Sequence, residues 1–166
     1  RLTVAAANIE GRPENKITDI MAFNTYPGWY WAEPETMGPS IDWKKDEKRG
    51  VCISEYGAGA SIKHHQQRMK KAPKCEGDFH PEEWQAIVHE GNYKEIDKRD
   101  FVWGSFVWNM FDFASGGRKE GDTYGMNDKG LVTYDRKTPK DAFYFYKANW
   151  SEKPVLHITS KRHIER

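Results

Sequence analysis

Four short, almost uninterrupted apolar runs constrain this chain more than anything else in it. They are residues 2–7 (LTVAAA), 20–23 (IMAF), 51–54 (VCIS) and the first part of 101–113 (FVWGSFVWNMFDF). Runs of four to eight residues suit strands and are short for helices. A strand with one wet face alternates apolar and polar side chains. These do not, so both faces are expected to be covered, as in a parallel sheet. The intervening segments have room for helices. Pro81-Glu82-Glu83-Trp84 opens one, with proline at the first helical position, acids in the first turn, and Trp84, Ile87 and Val88 on one face. Another is expected after Thr138, the N-cap, with Ala142, Phe143 and Tyr146 forming its apolar side. Strands alternating with helices or long loops predict an α/β architecture.

Composition narrows the function classes. The 166 residues are enough for one ordinary domain, and no run of about 18 apolar residues marks a transmembrane helix. With 26 basic and 25 acidic side chains the net charge is +1, so no strong field recruits nucleic acid or an anionic membrane. Cys52 and Cys75 are too few for a disulfide scaffold or a cysteine-rich zinc site. No signal peptide is visible, and a chain that begins at Arg1 rather than Met does not exclude one. The unusual quantity is aromatic content, 14% of residues, which suits both cores and the stacking of ligand rings.

Each apolar run closes on polar or aromatic residues followed by glycine. Asn24, Tyr26, Trp29 and Tyr30 follow the second; Glu55 and Tyr56 close the third; Trp108, Asn109 and Asp112 follow the fourth. Loops at the carboxyl ends of parallel strands are where α/β barrels build active sites. A carboxylate ending an apolar strand, as Glu55 does, is costly to desolvate unless paired or used. By spacing alone Glu55 could equally accept hydrogen bonds from the turn amides after it, and the aromatic cluster could equally be core.

Four segments in order carry a resemblance. Asn24-Thr25-Tyr26-Pro27-Gly28-Trp29-Tyr30, Ile53-Ser54-Glu55-Tyr56-Gly57, 106–113 (FVWNMFDF) and 127–137 (NDKGLVTYDRK) together resemble glycoside hydrolase family 2, the β-galactosidases, β-glucuronidases and β-mannosidases. The match runs to about Trp150. The resemblance implies a (β/α)8 TIM barrel, of which residues 1–152 would be the C-terminal half, strands five to eight. Residues 153–166 would then be a tail or the start of a following β-sandwich, with 154–159 as its first strand. The family's acid/base glutamate follows an asparagine at the end of strand four and would lie before Arg1. Glu10 and Glu14 do not follow asparagine and are not substitutes.

The resemblance also implies a retaining mechanism. Ionised Glu55 would attack the anomeric carbon of a terminal β-linked sugar, and a second carboxyl would protonate the leaving oxygen and then activate water. Tyr26 matches the tyrosine that hydrogen-bonds the nucleophile, so Glu55 and Tyr26 are the catalytic candidates. Trp108 matches the tryptophan packed on the innermost sugar, and Asn24 a polar residue of the same pocket. Asn127 and Lys129 fit the Asn-x-Lys pattern with which β-glucuronidases grip the substrate carboxylate, and Tyr30 also matches a residue near that group. Lys129 could instead brace the loop before the last helix. Ala58 stands where the large lactose-cleaving enzymes carry histidine. The segment 135–150 inclines the reading to β-galactosidase activity, with β-glucuronidase as the near-equal alternative. A non-catalytic sugar-binding fragment is the rival class, because half the carboxylate pair would be missing.

The implied partner is a carbohydrate, with no cofactor, no metal, and a need for the N-terminal half of the barrel. A homo-oligomer is left open, as is the compartment: bacterial periplasmic or secreted, or cytoplasmic. His64-His65 invites a metal reading, but adjacent side chains point apart, so a structural or solvent-facing role is expected. Lys63, Arg68, Lys70, Lys71 and Lys74 read as a solvated loop. Gly116-Gly117-Arg118 and Gly121-Asp122 mark a long mobile loop, and such loops at a barrel mouth often shape the substrate site.

Overall fold

Each apolar run becomes a strand: β1 (Val4–Ala7), β2 (Ile20–Asn24), β3 (Val51–Tyr56) and β4 (Val102–Val107). The computed structural model describes residues 1–9, 11–45, 48–69 and 71–156. The four strands form one parallel sheet in chain order, β1-β2-β3-β4. All their carboxyl ends therefore emerge on one side. The register shifts after Phe23 in β2, where Asn24 pairs with Glu55, and again along β3 between Ile53 and Tyr56. Such irregularities re-aim side chains, and here they fall at the strand ends where the polar residues begin.

Helices fill the connections. A single turn at Pro34–Thr36 and the short α1 (Met37–Asp42) link β2 to β3, and α2 (Glu82–Asp97) links β3 to β4. After β4, the two-residue strands β5 (Phe113–Ala114) and β6 (Met126–Asn127) pair antiparallel, and α3 (Asp141–Asn149) follows. The main core gathers Phe23, Ile53 and Tyr56 from the sheet, Met37 and Ile41 from α1, Ile96 from α2, and Ala142 and Tyr146 from α3. Ile41 and Ile53 are completely buried, worth about 1.5–3 kcal/mol each in apolar area removed from water. A second cluster packs Trp84 and Val88 of α2 against Trp29 and Ala58 from the loops after β2 and β3.

Several local expectations need correction. Coverage on both faces holds for Val51, Cys52 and Ile53 of β3, but β1 alternates exposed and half-buried residues, and β4 leaves Trp103 49% and Phe106 55% exposed. Among the described residues, each of the sheet's two outer strands is paired on one side only. Thr138 does not cap α3; its N–H donates to Thr133 Oγ1, and Lys140 occupies the N-cap position without a side-chain cap. The Lys140 side chain is turned inward instead. Pro81 sits at the N-cap of α2 rather than inside it. Residues 154–156 form no strand, and the remainder of that expected strand lies outside the described residues.

Exposed apolar side chains on unpaired strand edges are templates for association. The isolated 166-residue chain is expected to self-associate, with Trp103→Lys/Phe106→Lys raising the monomer fraction in size-exclusion chromatography with light scattering. A wild-type monomer with a cooperative melt would contradict this.

Candidate active site

Glu55 is the penultimate residue of β3 and is half-buried. The Tyr26 hydroxyl donates a 2.6 Å hydrogen bond to its Oε2. Burial, then the hydrogen bond and negative charge of Glu55, raise the Tyr26 phenol far above its ordinary range, so it stays a proton-bearing donor. Backbone pairing continues past β2: the Thr25 N–H donates to the Glu55 carbonyl at 2.9 Å, and Ser54 Oγ donates to Asn24 Oδ1 at 2.7 Å. The loop then turns sharply at Gly28, whose φ of +85° suits glycine and whose Cα faces Pro34 too closely for a side chain. At the end of β3, Gly57 adopts φ +144°, and a Cβ there would lie 2.8 Å from both the His89 ring and the Trp108 carbonyl. Only glycine lets the Glu55-bearing strand end pack so closely against the end of β4.

These residues open into a pocket of about 520 Å³. Its lining includes all seven residues singled out in the sequence: Asn24, Tyr26, Tyr30, Glu55, Trp108, Asn127 and Lys129. Tyr30 meets Tyr26 edge-on at 5.2 Å, and Trp108 meets Phe113 edge-on at 5.9 Å. The peptide between Trp108 and Asn109 is cis. Lys129 is 1% exposed, and its Nζ lies 5.2 Å and 5.1 Å from the Trp29 and Tyr30 ring centroids. That ammonium makes no hydrogen bond. The carboxylate beside it, Glu120 Oε1 at 3.9 Å, is held by Arg118.

The pocket also draws in Asn8, Thr25, Trp31, Phe113, Ser115 and Arg118. Arg118 reaches the wall because β5 and β6 fold the 115–125 loop back over the site, bringing its Nη2 to 3.5 Å from Tyr30 Oη. Two-residue strands leave almost no periodic signal. The marker available in the sequence was the glycine-rich stretch itself. Glu14 is exposed and lines no part of the pocket, and Glu10 lies outside the described residues.

Polar side chains of α2 hold the loops behind the pocket. Trp84 Nε1 donates to the Gly28 carbonyl; Gln85 donates to the carbonyls of Ala58 and Gly130; Asn92 donates to those of Pro27 and Pro34. Lys140, completely buried, donates to Asp112 and to the carbonyls of Ala60 and Asp128. Burial pushes the Asp112 carboxyl up to about 6, outweighing the opposing pull of Lys140. His80 Nδ1 lies 2.6 Å from Asp128 Oδ2, both buried. Below Glu55, Tyr146 donates to Tyr56 Oη at 3.0 Å, and His89 Nδ1 donates to Tyr146 Oη at 2.9 Å.

His64 and His65 point apart, as expected. His64 Nδ1 accepts the His80 N–H, and His65 meets Glu83. Among the described residues, no group of three or more His, Cys, Asp or Glu side chains could hold a metal ion, and no helix is long and apolar enough to cross a membrane.

Comparison with known proteins adds a family to this geometry. No protein-family model matches the chain. A β-glucuronidase of Bacteroides fragilis is 52% identical over 165 residues, 98% of this chain and 24% of its own length. A crystal structure assigned as a β-galactosidase, also from Bacteroides fragilis, superposes with a TM-score of 0.85 at 35% identity, covering 93% of this chain and 24% of that one. Bacteroides uniformis β-glucuronidase 2, covalently bound to cyclophellitol-6-carboxylate aziridine, gives 0.78 at 30% identity over 92% of this chain and 18% of its own. The chain is homologous to glycosidases. Its homologues are named β-glucuronidase and β-galactosidase, and the chain spans about a quarter or less of the length of these relatives.

The buried histidine of α2 gives a pH prediction. Burial, with a smaller push from Lys140, lowers His89 from its ordinary 6.5 to about 3. A depressed histidine stays neutral when folded while the unfolded chain protonates, so its contribution is intact above pH 6.5 and is lost as pH falls toward 3. Between pH 7 and pH 5 the loss is about 2 kcal/mol. Hydrogen exchange at α2 amides should show that loss in wild type and not in His89→Gln. Equal pH dependence in the two would contradict the assignment.

Proposed function

We propose that this chain is the nucleophile-bearing part of a retaining β-glycosidase of glycoside hydrolase family 2, selective for β-glucuronides. On this reading residues 1–152 are the C-terminal half of a TIM barrel, and the parallel order of β1 to β4 supports it. Glu55 attacks the anomeric carbon as the bond to the leaving oxygen breaks, giving a covalent glycosyl-enzyme. A second carboxylic acid about 5–5.5 Å from the nucleophile gives its proton to the leaving oxygen, then takes one from the water that releases the sugar. That acid belongs to a segment preceding this chain, so the chain alone is inactive. Tyr26 holds the Glu55 carboxylate in one orientation, leaving the other oxygen for attack. Trp108 supplies an apolar face to the sugar, and Asn24 lines the same subsite.

One observation carries the choice of sugar: the Lys129 ammonium, buried and without a hydrogen bond, in the pocket that holds Glu55. A buried ammonium whose one carboxylate stands 3.9 Å away and is held by Arg118 is costly, and the carboxylate of a uronic acid would supply the hydrogen bonds it lacks. Asn127 lies two residues away and lines the same pocket, Tyr30 packs beside the ammonium, and Arg118 adds a second cation at the rim. The inclination toward galactosides came from the segment 135–150, none of which lines the pocket. The geometry around Lys129 favours the glucuronide.

In the enzyme carrying this segment, Glu55→Gln is expected to lower kcat on an aryl β-glucuronide by on the order of 10⁴-fold or more, and a 2-fluoro glucuronide should label Glu55 in peptide mapping. A label elsewhere would sink the nucleophile assignment. Lys129→Ala should lower kcat/KM for the aryl glucuronide about 10- to 100-fold, the worth of a charge-assisted hydrogen bond. The aryl galactoside should change by less than about threefold. A parallel fall on both sugars would remove the carboxylate clamp.

A further inference from the structure

From the end of β6, neighbouring side chains part: Asn127 and Lys129 line the pocket, with the Lys129 N–H donating to Asn127 Oδ1. Lys129 enters the pocket, whereas Asp128 turns to the protein interior and meets His80. Its carboxylate is tightly enclosed. A Cβ on Gly59 would lie 2.3 Å from Asp128 Oδ1, and one on Gly121 would lie 2.7 Å from Oδ2. The backbone is fixed as well: the Asp128 carbonyl accepts from the Ala60 N–H and from Lys140. Burial works to raise the Asp128 carboxyl, but the His80 hydrogen bond and nearby positive charge outweigh it and hold the group below its ordinary value. Asp128 is thus an ionised acceptor for the His80 Nδ1–H, and His80 Nε2 has no hydrogen-bond partner among the described residues.

His80 reaches Lys129 by a second route. Its ring meets Trp29 edge-on at 4.8 Å, and the Lys129 ammonium sits 5.2 Å from that Trp29 ring. The main chain at His80 is pinned in turn, its N–H to His64 and its carbonyl to the Ser61 N–H. A completely buried histidine therefore touches both the residue preceding Lys129 and the ring on which Lys129 lies.

We infer that His80 is a positioning residue for sugar selectivity: through Asp128 and Trp29 it sets the Lys129 ammonium where a uronate carboxylate is received. This rests on the glucuronide reading and adds to it a residue that lies outside the pocket. A displacement of about an ångström at a charged contact costs one to two orders of magnitude, so loss of His80 should act on one substrate class and not on the other.

The experiment uses the full-length enzyme with 4-nitrophenyl β-D-glucuronide and 4-nitrophenyl β-D-galactoside. Variants are His80→Ala and His80→Phe, which lack the donor to Asp128, and His80→Gln, which keeps an N–H. Either donorless variant that retains the wild-type melting profile should raise KM for the glucuronide about tenfold and leave galactoside kcat/KM within about threefold. His80→Gln should restore most of the loss. A parallel decline on both substrates, or no change in their ratio, overturns the inference. Lys129→Ala, run alongside, separates the two levels. If it leaves the glucuronide preference intact, the carboxylate clamp itself fails and His80 falls with it. If Lys129→Ala abolishes the preference and the His80 variants keep it, only the positioning role is lost.

Discussion

Loops beyond the carboxyl ends of parallel strands carry backbone carbonyls that the sheet no longer pairs, and everything at this site depends on how those carbonyls are satisfied. Three side chains of α2 satisfy five of them, Trp84, Gln85 and Asn92 donating to carbonyls in the loops after β2 and β3 and in the turn after β6. Apolar packing is non-directional and would leave these loops free to slide. Hydrogen bonds to named carbonyls fix distance and direction together, and leaving such groups unmade inside the protein costs about 1–3 kcal/mol each. The helix is consequently buried around most of its circumference and shows little of the two-sided character of a surface helix.

Two buried lysines show how differently the same charge is handled. Lys140 is wholly enclosed and donates to one carboxylate and two carbonyls, so its role is complete within the fold. Lys129 is enclosed to nearly the same degree and donates to none. Desolvating an ammonium without compensation is among the most expensive arrangements available to a protein, and the aromatic faces of Trp29 and Tyr30 return only part of it. This cation, with only the distant Glu120 carboxylate at 3.9 Å and no hydrogen bond among the described residues, shares its pocket with the Tyr26–Glu55 pair. The asymmetry between the two lysines supports the proposed role of Lys129 in receiving a carboxylate.

Much of this was legible before any coordinates. Strand positions followed from uninterrupted apolar runs, and the seven residues drawn from four separated segments converge on one pocket. The misreadings share a cause. Thr138 looked like a cap because capping is judged locally, yet at the start of α3 the Asp141 N–H donates to Glu82 Oε2 on α2 while the Lys140 side chain turns inward to Asp112. Coverage of both strand faces was inferred from composition, but coverage depends on what lies alongside, and β1 and β4 are the sheet's outer strands. Arg118 was read only as part of a glycine-marked loop, not as a pocket residue, because the hairpin that delivers it consists of two residues on each side.

The sequence by itself determined the residue types at the strand ends and hence the chemistry offered: a carboxylate, a phenol, a cation and aromatic faces, at spacings that parallel strands bring to one side. Only the tertiary structure decided which of those groups stay unsatisfied. Whether a buried lysine is a brace or a receptor depends on partners dozens of residues away, and such long-range pairing leaves no trace in local periodicity.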